Sequence, residues 1–115
     1  MTAGGDRFAE LAEPLLATTG VTRSTMMGLP CLRRDGVFFA AWDRGTEALL
    51  IKLSRTRVDQ LLGSGAAHPF APAGRRFRQW AAVPPQQAQS WPGLLDEALR
   101  FAEGPAAERP RDEIR

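Results

Sequence analysis

Cys31 is the sole cysteine of the 115-residue chain, and it lies in "TMMGLPCLRRDGVFFAAW" (Thr25–Trp42), between two adjacent methionines and an Arg-Arg pair. Three chemistries use such residues. A thiol beside guanidinium groups becomes a nucleophile or redox sensor when the cations lower its pKa. A cysteine with two methionines offers soft ligands to a metal ion. Arginines interleaved with aromatics, as Arg75, Arg76 and Arg78 are with Phe77 and Trp80, bind phosphate and stack on bases.

Spacing argues against the first two. On a strand, Arg33 shares the face of Cys31 but stands roughly 7 Å along it, and Arg34 points to the other face. His68, the only histidine, precedes Pro69 in a distant loop with no carboxylate to orient it. A small buried or interface thiol is therefore expected. Met26 and Met27 are adjacent, so as strand residues they face opposite ways and cannot both hold one ion. "LGSGAAHP" lacks the spacing of a phosphate-binding loop, and Asp96 and Glu97 read as solvated charge on a helix. No nucleophile, base and orienter can be named together. The expectation is a non-enzyme with no metal and no cofactor.

The elements that position these residues follow from periodicity. Asp6 is a good N-cap for a helix carrying Phe8, Leu11, Ala12, Leu15 and Leu16, with Pro14 shortening or kinking it. Val21–Met27 reads as a short strand, and Pro30–Arg34 as another that enters Asp35-Gly36, a strong hairpin signal. Val37–Trp42 and Ala48–Leu53 follow as strands, completing an antiparallel meander over 30–53. Ser54 can cap a helix with Val58, Leu61 and Leu62, stopped by Gly63 and Gly65. A broken stretch over 66–76 leads to a last strand, Phe77–Val83. Trp91, Leu94, Leu95, Ala98, Leu99 and Ala102 then mark a final helix. The fold class is α+β in two layers, with one domain over residues 5–103 and a disordered tail over 104–115.

The Asp35-Gly36 turn sets Arg34 opposite Val37, Leu32 opposite Phe39 and Pro30 opposite Ala41. A five-residue loop sets Trp42 opposite Ala48, Phe39 opposite Ile51 and Val37 opposite Leu53. One face then carries Leu32, Phe39, Ile51, Val37, Leu53, Ala41 and Leu49 and should meet the helices. The reverse face carries Arg33, Phe38 and Lys52 at one end, and Leu29, Cys31, Ala40, Trp42, Ala48 and Leu50 toward the other. An apolar patch of this kind marks an interface. Leu29, Cys31, Trp42 and Leu50 are thus expected to meet a second copy or another protein, unless the chain's own helix covers them. Arg33 and Lys52, or Arg75, Arg76 and Arg78, are the expected contacts for nucleic acid.

Composition limits the alternatives. Hydrophobic residues make up 43% and charged residues 24%, ordinary for a globular chain. A net charge of +2 gives no strong global field toward nucleic acid. A lone cysteine cannot form an internal disulfide, which suits a reducing compartment. No apolar run nears the roughly 20 residues that span a bilayer, and "MTAGGDRF" lacks the basic and apolar regions of a signal peptide. Cytoplasmic localisation without membrane contact is expected.

"GVTRSTMMGLPCLRRDGVFFAAW", "LLIKLSRTRVDQLL", "HPFAPAGRRFRQWAAVP" and "WPGLLDEALRFA" together resemble the TfoX N-terminal-domain family. They are also similar to the related MmcQ/YjbR group. The resemblance runs from about Phe8 to Ala102 and rests on Met27-Gly28, the Asp35-Gly36 hairpin, the "IKL" strand and the final Arg/Trp strand. It implies an antiparallel sheet packed on helices, like the secretion-chaperone fold. It also implies a regulatory or DNA-binding role linked to natural competence, and it supplies no catalytic residues. The expected function is a small, homodimeric binding or regulatory module, with nucleic-acid binding as the alternative.

Overall fold

Two short turns organise the first half of the sheet. In the computed structural model, which describes residues 3–104, Met27 and Gly28 have φ of 53° and 78°, and Asp35 and Gly36 have φ of 50° and 85°. Positive φ at both central residues is what a two-residue type I′ hairpin requires. These turns join β1 (Val21–Met26) to β2 (Leu29–Arg34) and β2 to β3 (Val37–Asp43). A loop over 44–47 leads to β4 (Ala48–Lys52). Asp43 closes that loop, its carboxylate accepting from the Gly45 N–H at 3.0 Å and the Thr46 hydroxyl at 2.9 Å.

Three helices complete the described chain. The first, α1 (Ala3–Leu15), begins before Asp6 and takes Pro14 into its last turn. Between β4 and the next strand lies α2 (Arg55–Ser64). The Ser54 hydroxyl caps it by accepting from the Arg57 N–H at 3.1 Å, and Gly65 closes it in the left-handed conformation. Helix α2 passes through Gly63 without stopping. Its exit carries a two-residue strand, β5 (His68–Pro69), where only a loop was expected. The last strand, β6 (Trp80–Val83), is shorter than the expected 77–83, and α3 (Trp91–Ala102) follows a 3₁₀ segment, Pro85–Ser90. The result is a six-stranded antiparallel sheet of order β1-β2-β3-β4-β6-β5. No helix among the described residues is long and apolar enough to cross a membrane. Of the tail expected over 104–115, all but Gly104 lies outside the described residues.

The strand pairing departs from the expected one by a single residue. Arg34 faces Val37 as expected, but Leu32 faces Ala40 rather than Phe39, because Phe39 is the extra residue of a β-bulge in β3. Such a bulge leaves one residue unpaired and reverses the alternation beyond it. The loop to β4 is also one residue shorter than expected, since Asp43 pairs with Ala48 and Trp42 with Leu49. Ala40 and Trp42 therefore join the helix-covered side, and Ala41 takes the reverse side.

Two apolar layers result. Leu32, Phe39, Leu49, Ile51 and Leu53 face the helices as expected, meeting Val58 and Leu61 of α2, Trp91, Leu95 and Leu99 of α3, and Phe8 and Ala12 of α1. On the reverse side Met26, Cys31, Ala41, Leu50 and Trp80 are covered by Phe70 and Phe77. No α-helix among the described residues does this work. The cover is the loop between β5 and β6, held by a 3.0 Å bond from the Phe77 N–H to the Phe70 carbonyl, with the two rings 5.8 Å apart. Burying each of those rings contributes about 1.5–3 kcal/mol.

Candidate functional site

The four residues expected to form a protein interface do not share an exposed patch. Trp42 lies on the helix side, turned there by the bulge, and is 6% exposed. Cys31 and Leu50 stay on the reverse face but are buried beneath Phe70 and Phe77. Leu29 alone keeps partial exposure, on the wall of a groove of about 390 Å³ that it shares with Phe70 and Ala82. Burial raises the Cys31 thiol pKa, an effect larger than the opposing pull of Arg33 and Ser24. A thiol so placed is mostly protonated and sheltered, the reverse of what reactivity needs.

The basic residues divide in the same way. Lys52 is fully buried in β4, and burial lowers its pKa to about 8. It cannot present its ammonium to a phosphate backbone at the surface. The Arg33 guanidinium lies 5.5 Å from the Phe38 ring centre, with its Nε buried and without an acceptor among the described residues. Arg75, Arg76 and Arg78 are exposed on the loop before β6. Arg75 stacks over Phe77 at 5.1 Å, and Arg76 pairs with Asp59 of α2 at 3.5 Å. Structure thus removes the Arg33/Lys52 row as an exposed strip and leaves the 75–78 loop as a basic surface. Glu97, expected as solvated charge, instead takes two bonds from Arg57, at 2.9 and 3.1 Å, and ties α3 to α2. Among the described residues no cluster of His, Cys, Asp and Glu could hold a metal ion.

A cavity with a formed apolar floor opens elsewhere. Between α1 and the β1–β3 end of the sheet lies a cleft of about 530 Å³, within the range typical of small-molecule sites. Phe8 and Ala12 of α1 face Leu32 and Trp42 across it. Arg23 and Arg44 stand on its lining with Ser24 and Thr25, and among the described residues no acidic side chain lines it. The Arg44 guanidinium donates to the Gly28 carbonyl at 3.2 Å, so the β1–β2 turn holds it at the rim. Arg23 pairs with Glu13 of α1 at 2.6 Å, both side chains being largely exposed.

Sequence reasoning missed this cleft for a definable reason. Val37–Trp42 is apolar at every position, so no alternation exists to show where the chain reverses its faces. The only signal was the aromatic at Trp42, which fits either side. No family model, curated protein or solved structure matches this chain.

Proposed function

We propose that this chain is a non-enzymatic binding module that works through the cleft between α1 and β1–β3, in a cytoplasmic setting and within the TfoX N-terminal-domain type. The observation that carries the reading is the formed apolar floor of Phe8, Ala12, Leu32 and Trp42 with polar groups confined to its rim. Mostly apolar clefts with few polar groups are the usual form of small-molecule sites. The reactive candidates favour this reading, since burial raises the pKa of the Cys31 thiol and His68 lies exposed on β5. Dimerisation through Leu29, Cys31, Trp42 and Leu50 is not part of this reading, because three of the four are buried within one chain.

A thermal-shift screen of small amphipathic compounds tests the proposal, using the parent and Ala9→Trp. Ala9 lines the cleft from an exposed position, so the larger ring plugs the space without entering the core. Compounds that raise the melting temperature of the parent but not of the variant are expected. Equal shifts in both proteins would place binding outside the cleft and contradict the reading.

The second reading is nucleic-acid binding, favoured by one observation: Arg75, Arg76 and Arg78 are exposed together on one loop. It predicts an affinity for single-stranded DNA that falls steeply with salt through counterion release. The triple Arg→Gln variant of that loop should lose it. Binding that is absent at low salt, or unchanged in the variant, removes this alternative.

A further inference from the structure

We infer that the ligand of the α1/β1–β3 cleft is a small amphipathic carboxylate, its apolar body on the floor and its acid group at Arg44. This deepens the binding-module reading and rests on it.

Two observations converge on a carboxylate. The lining carries two guanidinium groups and, among the described residues, no acidic side chain, so the cleft is complementary to an anion. Arg44 has no carboxylate partner among the described residues; its one bond, to the Gly28 carbonyl, leaves the rest of its fork of donors unused.

Geometry separates this acid from larger anions. Arg44 and Arg23 sit on the rim while Phe8, Ala12 and Leu32 line the apolar interior. A polyanion would leave those apolar walls uncovered, and a neutral hydrocarbon would leave the guanidinium unused. An acid with a chain or ring of modest size uses both. Arg23 is already engaged by Glu13, so Arg44 makes the larger contribution and Arg23 a smaller, field-like one.

Calorimetric titration with octanoate, 2-naphthoate and octanamide provides the test, on the parent, Arg44→Gln and Ala9→Trp. Arg44 and Ala9 are exposed, so both variants keep the fold. Octanoate or 2-naphthoate should bind at least tenfold more tightly than octanamide, the tenfold reflecting one charge-assisted hydrogen bond. Which acid binds better reports whether the chain or the ring fits the floor. Arg44→Gln should erase the preference for acid over amide, and Ala9→Trp should abolish binding of all three. Equal affinity for octanoate and octanamide would overturn the carboxylate assignment while leaving the cleft as a binding site. Acid binding that survives Ala9→Trp, or a dimer that Ala9→Trp dissociates, would overturn it by giving the cleft no ligand or a second copy as its occupant. No heat with either acid at millimolar concentration would overturn it as well, and the thermal-shift screen then decides separately whether the cleft binds anything.

Discussion

The two faces of the sheet are covered by different means, and the wider opening, about 530 Å³ against about 390 Å³, lies on the helix side. On one side α2 and α3 bury Phe39, Leu49 and Ile51, while α1 meets the β1–β3 end through Phe8 and Ala12 and leaves a cleft beside them. On the other, a loop carrying Phe70 and Phe77 lies over Cys31, Leu50 and Trp80. A loop can conform to the sheet residue by residue, whereas a helix meets it along one stripe and leaves room at the margin. The face that seemed to need a partner is thus completed by the chain itself, and the face assigned wholly to core holds the candidate site.

The largest expected effect tests whether the loop-covered face is true core. Trp80→Ala should destabilise by about 3–5 kcal/mol, the same range as Phe39→Ala on the helix side. Urea denaturation measures both. A cost below about 1 kcal/mol for Trp80→Ala would mean the loop is a loose cover, as an interface awaiting a partner would have.

Lys52 sharpens the same comparison through pH. Its folded pKa of about 8 lies below the ordinary 10.5, so between those values the unfolded chain binds more protons than the folded one. Stability contributed by this group therefore rises with pH across that window, by an amount on the order of 3 kcal/mol. Cys31 acts the other way, because burial raises its pKa and the folded thiol keeps its proton after the unfolded one has lost it. Lys52→Met isolates the lysine, since Cys31 is common to both proteins. The variant should lose stability relative to the parent as pH climbs from 8 to 10.5; parallel profiles would contradict the buried, charge-disfavouring site.

A smaller effect belongs to the helix side. Arg57 and Glu97 join α2 to α3 through two bonds, but both side chains are about two-fifths exposed. A double-mutant cycle with Arg57→Gln and Glu97→Gln should give a coupling of about 0.5–1 kcal/mol that shrinks with salt. Coupling near zero would make the pair a surface coincidence rather than a tie between the helices.

Most of the scaffold was legible in the sequence. Asp35-Gly36 marked its hairpin because its turn type demands those residues, and Ser54 marked the start of α2 because an N-cap needs an acceptor. The spacing of Trp91, Leu94, Leu95, Ala98 and Leu99 gave the buried stripe of α3. Met27-Gly28 was harder, since methionine seldom takes positive φ, and a strand break was read where a second tight hairpin stands. The candidate site was not legible. It depends on a bulge at Phe39 inside a continuous apolar run and on how far α1 stands from the sheet, and both are settled by tertiary packing. Lys52 and Cys31 were visible as residue types, but their burial follows from the aromatic loop, which pattern alone left unstructured.

The indole region of a ¹⁵N-resolved NMR spectrum tests the central claim most directly, because Trp42, Trp80 and Trp91 each contribute one N–H and sit in three different surroundings. On titration with octanoate, the Trp42 signal should move, while the Trp80 signal beneath the aromatic loop and the Trp91 signal inside α3's stripe stay in place. A shift at Trp80 with Trp42 unmoved would put the opening on the reverse face and contradict the account.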